Sequence, residues 1–157
     1  MTRFKNSYKV PSQTFILPRK GTKKKRVYDQ QERAALGLPP LEDDVQIEVV
    51  EECKYIKFGI GKVFDYLFHS PSGGSRNLSE GKRFKKMGTR KGFPDLFIFI
   101  TNSIYHGLFI ELKSGKNTVT DEQKAMHILL TEQGYKVVVC YGRQAAIDAI
   151  KDYLKIR

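Results

Sequence analysis

Asp95-Leu96-Phe97-Ile98-Phe99-Ile100-Thr101, followed six residues later by Leu108-Phe109-Ile110-Glu111-Leu112-Lys113, is the stretch that decides the fold. After its leading aspartate the first run is apolar and of strand length, which predicts a strand buried on both faces. Residues 102–107 turn the chain. In the second run side chains alternate, so Leu108, Ile110 and Leu112 share one face and Phe109, Glu111 and Lys113 the other. Downstream, Thr120-Asp121-Glu122-Gln123 has the form of a capping box, opening a helix that runs to about Gln133 and stops at Gly134. Residues 136–141 read as a third apolar strand, and residues 143–154 as an amphipathic helix burying Ala146, Ile147, Ile150 and Leu154.

Upstream, Pro39-Pro40 opens a helix at about Leu41. Glu42, Asp43 and Asp44 occupy its first turn, where the helix dipole favours carboxylates. Val45, Val49, Cys53 and Ile56 fall close to helical spacing, with Ile47 and Val50 widening the stripe. The helix is expected to end near Gly59-Ile60-Gly61, before a strand over 62–69, a loop at 71–75 and a short basic helix over 78–87. The order of the main elements is helix, strand, strand, strand, helix, strand, helix. It describes an α/β domain with a central mixed β-sheet flanked by helices.

The chain of 157 residues fits one compact domain at 41–157 with a basic N-terminal arm at 1–40. The arm contains six cations between Arg19 and Arg26. Such a run stays solvated until it meets an anionic partner, and a solubilising tail or a localisation signal has the same composition. Twenty-eight Lys and Arg against 17 Asp and Glu leave a net charge of +11. That surplus favours a polyanion, since each cation placed on a phosphate releases condensed counterions. No apolar run reaches the ~18 residues of a membrane span, so no membrane partner is expected. Cys53 and Cys140 lack CxxC spacing, which argues against a zinc ribbon or disulfide scaffold and fits a reducing, cytoplasmic location.

A phosphodiesterase needs a divalent cation beside the scissile phosphate, and Mg2+ takes hard oxygen ligands, typically one or two carboxylates plus water and phosphate. Asp95 at the start of one strand approaches Glu111 on the next if the two pair as a hairpin, and the backbone carbonyl of Leu112 adds a third oxygen. Lys113, two residues on, faces the same side as Glu111 and is placed to orient or help deprotonate a water and to offset charge on the phosphate. Taken alone, Glu111 and Lys113 read first as an exposed ion pair. The order Pro-Asp, buried apolar run, Glu-x-Lys is more specific.

Pro94-Asp95 with Glu111-Leu112-Lys113 resembles the signature of the PD-(D/E)XK nucleases. The fuller pattern is similar to the VRR-NUC branch found in bacteriophages and DNA-repair nucleases. It comprises Lys91 to Leu96, Gly107 to Lys113, Thr120-x-x-Gln123 and Gly134 to Val139, and the likeness covers about residues 42–155. It implies a restriction-endonuclease-like core of the stand-alone phage type, and a Mg2+-dependent DNA endonuclease in which Mn2+ substitutes. Asp95 and Glu111 are then ligands and Lys113 the catalytic lysine. A helix glutamine maps to Gln123, which also closes the capping box. A first-helix glutamate four residues before a glutamine maps to Glu42, with Gln46, ahead of Glu48, Glu51 and Glu52 on other faces, although Glu42 also suits the helix dipole. Related phage proteins read Pro-Asn-Gly-Gly where this chain has Pro71-Ser72-Gly73-Gly74. Serine loses the amide there, while Gly73 and Gly74 still let backbone approach a phosphate, with Arg76 close by.

Lys82, Arg83, Lys85, Lys86, Arg90 and Lys91 precede the Pro-Asp motif and form a candidate positive rim for DNA, or a solvated helix face. His69, His106 and His127 have no metal-ligand spacing and read as structural or surface residues, His69 being nearest the cleft. The expected activity is structure-selective cleavage of branched DNA such as four-way junctions, in replication, repair or recombination, with a homodimer suited to two-fold junctions. A non-catalytic DNA-binding module and an RNA-processing nuclease are the competing readings.

Overall fold

The computed structural model describes residues 28–70 and 78–156, the side chains of residues 78–80 and Lys82 excepted. Its helices are α1 (Gln30–Ala35), α2 (Glu42–Cys53), α3 (Leu78–Lys86), α4 (Asp121–Glu132) and α5 (Gly142–Leu154). Two two-residue strands, β1 (Lys57–Phe58) and β2 (Gly61–Lys62), form a small hairpin. The main sheet has the order β3 (Leu67–His69), β4 (Leu96–Ile98), β5 (Leu108–Lys113) and β6 (Lys136–Tyr141). The first two pairings are antiparallel and β5–β6 is parallel, so the sheet is mixed as expected. A parallel pair needs a crossover, and α4 supplies it.

One face of the sheet carries the core. Leu96, Ile98, Leu108, Ile110 and Leu112 are sealed beneath Val45, Val49 and Cys53 of α2 and Ala146, Ile147, Ile150 and Tyr153 of α5. Each large apolar side chain buried there contributes about 1.5–3 kcal/mol. The other face has an aromatic layer. Phe97 stacks on Phe109 with ring centroids 4.2 Å apart, and Phe93 and Tyr135 meet Phe109 edge-on at 5.3 and 5.2 Å. All six residues of β5 are buried, which makes it the central strand. The two cysteines are buried free thiols. Among the described residues no helix is long and apolar enough to cross a membrane.

Several boundaries differ from the sequence reading. Helix α2 stops at Cys53, and Gly59 serves the β1–β2 hairpin instead, at φ 56°, the positive-φ first position that tight two-residue turns favour. The strand expected over 62–69 is interrupted by a 3-10 turn at Val63–Tyr66, because the Asp65 carboxylate accepts the Lys62 N–H at 2.8 Å and closes the chain locally. The strand expected over 95–101 keeps its ladder only through Ile98, after which Asn102 Oδ1 accepts the N–H groups of Ile104 and Tyr105 and turns the chain. Ile47 is 62% exposed, outside the buried stripe of α2, and in α5 Tyr153 is fully buried where Leu154 is only partly so.

Residues 28–40, read as part of the arm, contain α1 with a complete Asp29–Glu32 capping box. Gln30 donates to Glu48 of α2 at 2.8 Å, and Ser114 Oγ donates to the Pro40 carbonyl at 2.5 Å. This end of the arm is therefore tied to the domain. The Arg19–Arg26 run lies outside the described residues.

Candidate active site

The β4–β5 register pairs Leu96 with Ile110, and one step further it sets Asp95 beside Glu111. Pro94 is buried and holds the entry to β4. Asp95 is pinned at two points. Its Oδ2 accepts the Leu112 N–H at 2.8 Å, and its carbonyl accepts the Ser70 N–H at 3.0 Å and lies 3.1 Å from His69 Nδ1. His69 is in turn 2.9 Å from Gln46 Nε2 on α2. The Leu112 N–H is therefore spent on Asp95 at the point where β4 has not yet begun.

Glu111 is 1% exposed, an unusual place for a carboxylate. Its Oε1 accepts Lys113 Nζ at 2.6 Å and also Gln123 Nε2. Gln123 does two things, since its Oε1 accepts the Thr120 N–H at 2.9 Å and completes the capping box of α4. Lys113, also buried, lies 3.8 Å from Glu42 Oε2 on the first turn of α2, and Asn117 Nδ2 holds Glu42 Oε1 at 2.9 Å. Five of the residues singled out in the sequence (Glu42, Asp95, Glu111, Lys113 and Gln123) thus converge at one end of the sheet, with the Leu112 backbone between two of them.

Burial dominates the electrostatics. It pushes the Glu111 carboxyl up to about 7, with the Asp95 and Glu42 charges adding to the rise and Lys113 opposing it. Asp95 is also raised, mainly by burial, against the Leu112 hydrogen bond and Lys113. For Lys113, burial favours the neutral amine, but the Glu111 hydrogen bond and the three carboxylates outweigh it and raise its pKa. Three carboxylates therefore surround one protonated lysine, a local negative excess inside a chain of net charge +11. Paired strand carboxylates are hard oxygen donors of the kind a divalent ion takes.

One neighbour was not anticipated. His127, one turn after Gln123 on α4, points its Nε2 at Glu111 Oε2 from 3.8 Å. Burial, then the Lys113 charge, lowers its pKa and keeps the ring neutral. The signal available in the sequence was the i,i+4 spacing from Gln123, which puts both side chains on one helix face.

Of the candidate rim, Arg83, Lys85 and Lys86 of α3 and Arg90 and Lys91 beyond it are exposed. The Lys82 side chain lies outside the described residues, as do Ser72, Gly73, Gly74 and Arg76. A cleft of about 320 Å³, lined by Ser70, Met87, Gly88, Thr89, Arg90 and Phe93, opens beside the loop that leads into Asp95. Gly92 is required there. At φ 77° it lies so close to α4 that a Cβ would sit 2.4 Å from the Glu122 carbonyl oxygen, so the Pro-Asp loop and the Gln123 helix are locked together.

Fold and comparison together place the chain among nuclease domains. A solved structure described as a VRR_NUC domain protein superposes with a TM-score of 0.65 at 40% identity, over 73% of this chain and 88% of that one. The VRR-NUC domain pattern matches residues 75–144, and no curated protein matches. The chain belongs to the VRR-NUC domain family.

Proposed function

We propose that the protein is a divalent-metal-dependent DNA endonuclease of the PD-(D/E)XK kind, acting inside the cell on branched DNA such as four-way junctions. The observation that carries this reading is the convergence of Asp95, Glu111 and Glu42 around the buried Lys113. Asp95 and Glu111 are the side-chain ligands we assign to Mg2+, or to Mn2+ in its place, with the Leu112 carbonyl as a third oxygen. An ion held there would neutralise charge on the scissile phosphate and make a neighbouring water more acidic.

The chain's own residues hold and polarise. Lys113 presents a protonated Nζ that would offset charge developing on a phosphate placed beside it. Gln123 Nε2 donates to Glu111 Oε1 and fixes that carboxylate, and the backbone N–H of Leu112 fixes Asp95. Such held geometry is worth orders of magnitude in rate because it is in place before the substrate arrives. Exposed Arg83, Lys85, Lys86, Arg90 and Lys91 supply contacts to the DNA backbone that orient without specifying sequence.

The test is incubation with labelled four-way junction, flap and linear duplex DNA, and with RNA alongside, in Mg2+, Mn2+ or EDTA. Preferential cutting of the junction in either metal, and none in EDTA, is expected. Tight binding of all three without cutting favours a binding module. Cutting of RNA alone favours the processing nuclease, and equal cutting of all three DNAs removes the branched-substrate part of the proposal.

A further inference from the structure

Among the described residues two buried side-chain atoms have no hydrogen-bond partner, Glu111 Oε2 and His127 Nε2. They face each other at 3.8 Å. A direct hydrogen bond needs roughly 2.7–3.2 Å, so they do not satisfy one another. Orphaned buried polar atoms are uncommon and point to a missing partner. Helix α4 brings the imidazole here on the face that also carries Gln123, so one helix bonds one oxygen of the carboxylate and faces the other. Bonds of about 2.1 Å from a single ion to each atom reach across such a gap.

We infer that His127 Nε2 is a nitrogen ligand to a divalent cation held by Glu111 Oε2, an inference that rests on the metal-dependent reading above. Among the described residues no three His, Cys, Asp or Glu side chains form a ready-made cage. The pair therefore supplies two positions, and the Asp95 and Leu112 oxygens assigned above, water or phosphate oxygens fill others. Mg2+ seeks oxygen, whereas imidazole suits first-row transition ions. The consequence is a site biased towards Mn2+ over Mg2+ by one residue outside the Asp95–Glu111–Lys113 set.

Pulsed EPR on the full chain loaded with Mn2+ tests this directly. The unmutated protein should show the hyperfine modulation of a directly bound imidazole nitrogen, converted from the 14N to the 15N pattern by histidine labelling and lost in His127→Ala. Calorimetric titration should show Mn2+ affinity falling roughly tenfold or more in His127→Ala, with Mg2+ affinity changing by less than about threefold. Saturable Mn2+ binding that depends on Asp95 but shows no imidazole coupling, or coupling that survives His127→Ala, overturns the inference and leaves the nuclease reading standing. No saturable Mn2+ binding at all overturns both.

Discussion

Replacing Glu111 by glutamine should stabilise the metal-free protein at pH 8, although it removes a buried charge hydrogen-bonded to two partners. Unfolded, the carboxyl titrates at its ordinary 4.5, and folded it titrates at about 7 because it is buried. Between those values the folded state holds a proton that the unfolded state has released, so stability declines as pH rises through the window. Above about pH 7 the whole difference has been lost, and at about 1.4 kcal/mol per pH unit it amounts to about 3 kcal/mol. Glutamine keeps an oxygen that can accept from Lys113 and Gln123, and has nothing to titrate. For a domain of this size the difference corresponds to a gain of about 6–12 °C in Tm at pH 8, and little or none at pH 5. The neutral His127 acts in the opposite sense, losing stability as pH falls, and is common to both proteins. Urea and thermal unfolding in EDTA at pH 5, 6, 7 and 8, on both proteins, measure the effect. Parallel stability profiles, or a glutamine variant that loses most at pH 8, would refute the reasoning.

Other consequences are open to simpler measurements. Proton and cation compete for Glu111, so Mn2+ affinity should fall by up to about tenfold per pH unit below about 7, and a pH-independent titration isotherm would contradict the assignment of Glu111 as ligand. Gly92→Ala meets both a positive φ and the Glu122 backbone, and should cost roughly 2–4 kcal/mol in chemical denaturation, cleavage falling with it. Thr120→Ala removes the acceptor of the Gln123 N–H and should cost about 1 kcal/mol by the same assay, an unchanged midpoint showing that Gln123 alone caps α4. Deleting residues 1–27 should flatten the salt dependence of DNA binding, by about 0.9 in log–log slope for each phosphate the arm neutralises, and an identical slope would retire the basic run as a DNA-binding element.

The sheet and its site were legible because the deciding signals are local and redundant. Alternation in Leu108 to Lys113 fixed which residues face the core, and the same two-residue period sent Glu111 and Lys113 to the opposite side. The Thr120–Gln123 capping box fixed the start of α4 and, with it, where the Gln123 side chain emerges. What was illegible depends on single polar side chains reaching back to nearby backbone. Asp65 interrupts an apolar run that reads as a strand, and Asn102 ends β4 early. Tertiary partners account for the rest. His127 carries no motif of its own and joins the site only because α4 packs beside β5 and β6, while Pro40 is drawn to the domain by Ser114 across 74 residues. Ile47 fits the helical period, yet the short β1–β2 hairpin and α5 leave its face of α2 uncovered.

Asp95 is the residue on which the functional account turns, since it joins β4, β5 and the assigned ion. The most direct test compares the native chain with Asp95→Ala on a labelled four-way junction in Mg2+, Mn2+ and EDTA, alongside circular dichroism and DNA-binding measurements. The account predicts cleavage by the native chain in either metal and none in EDTA, and a variant that folds and binds the junction but does not cut it. Cleavage that persists in the folded variant, or that proceeds in EDTA, would contradict it.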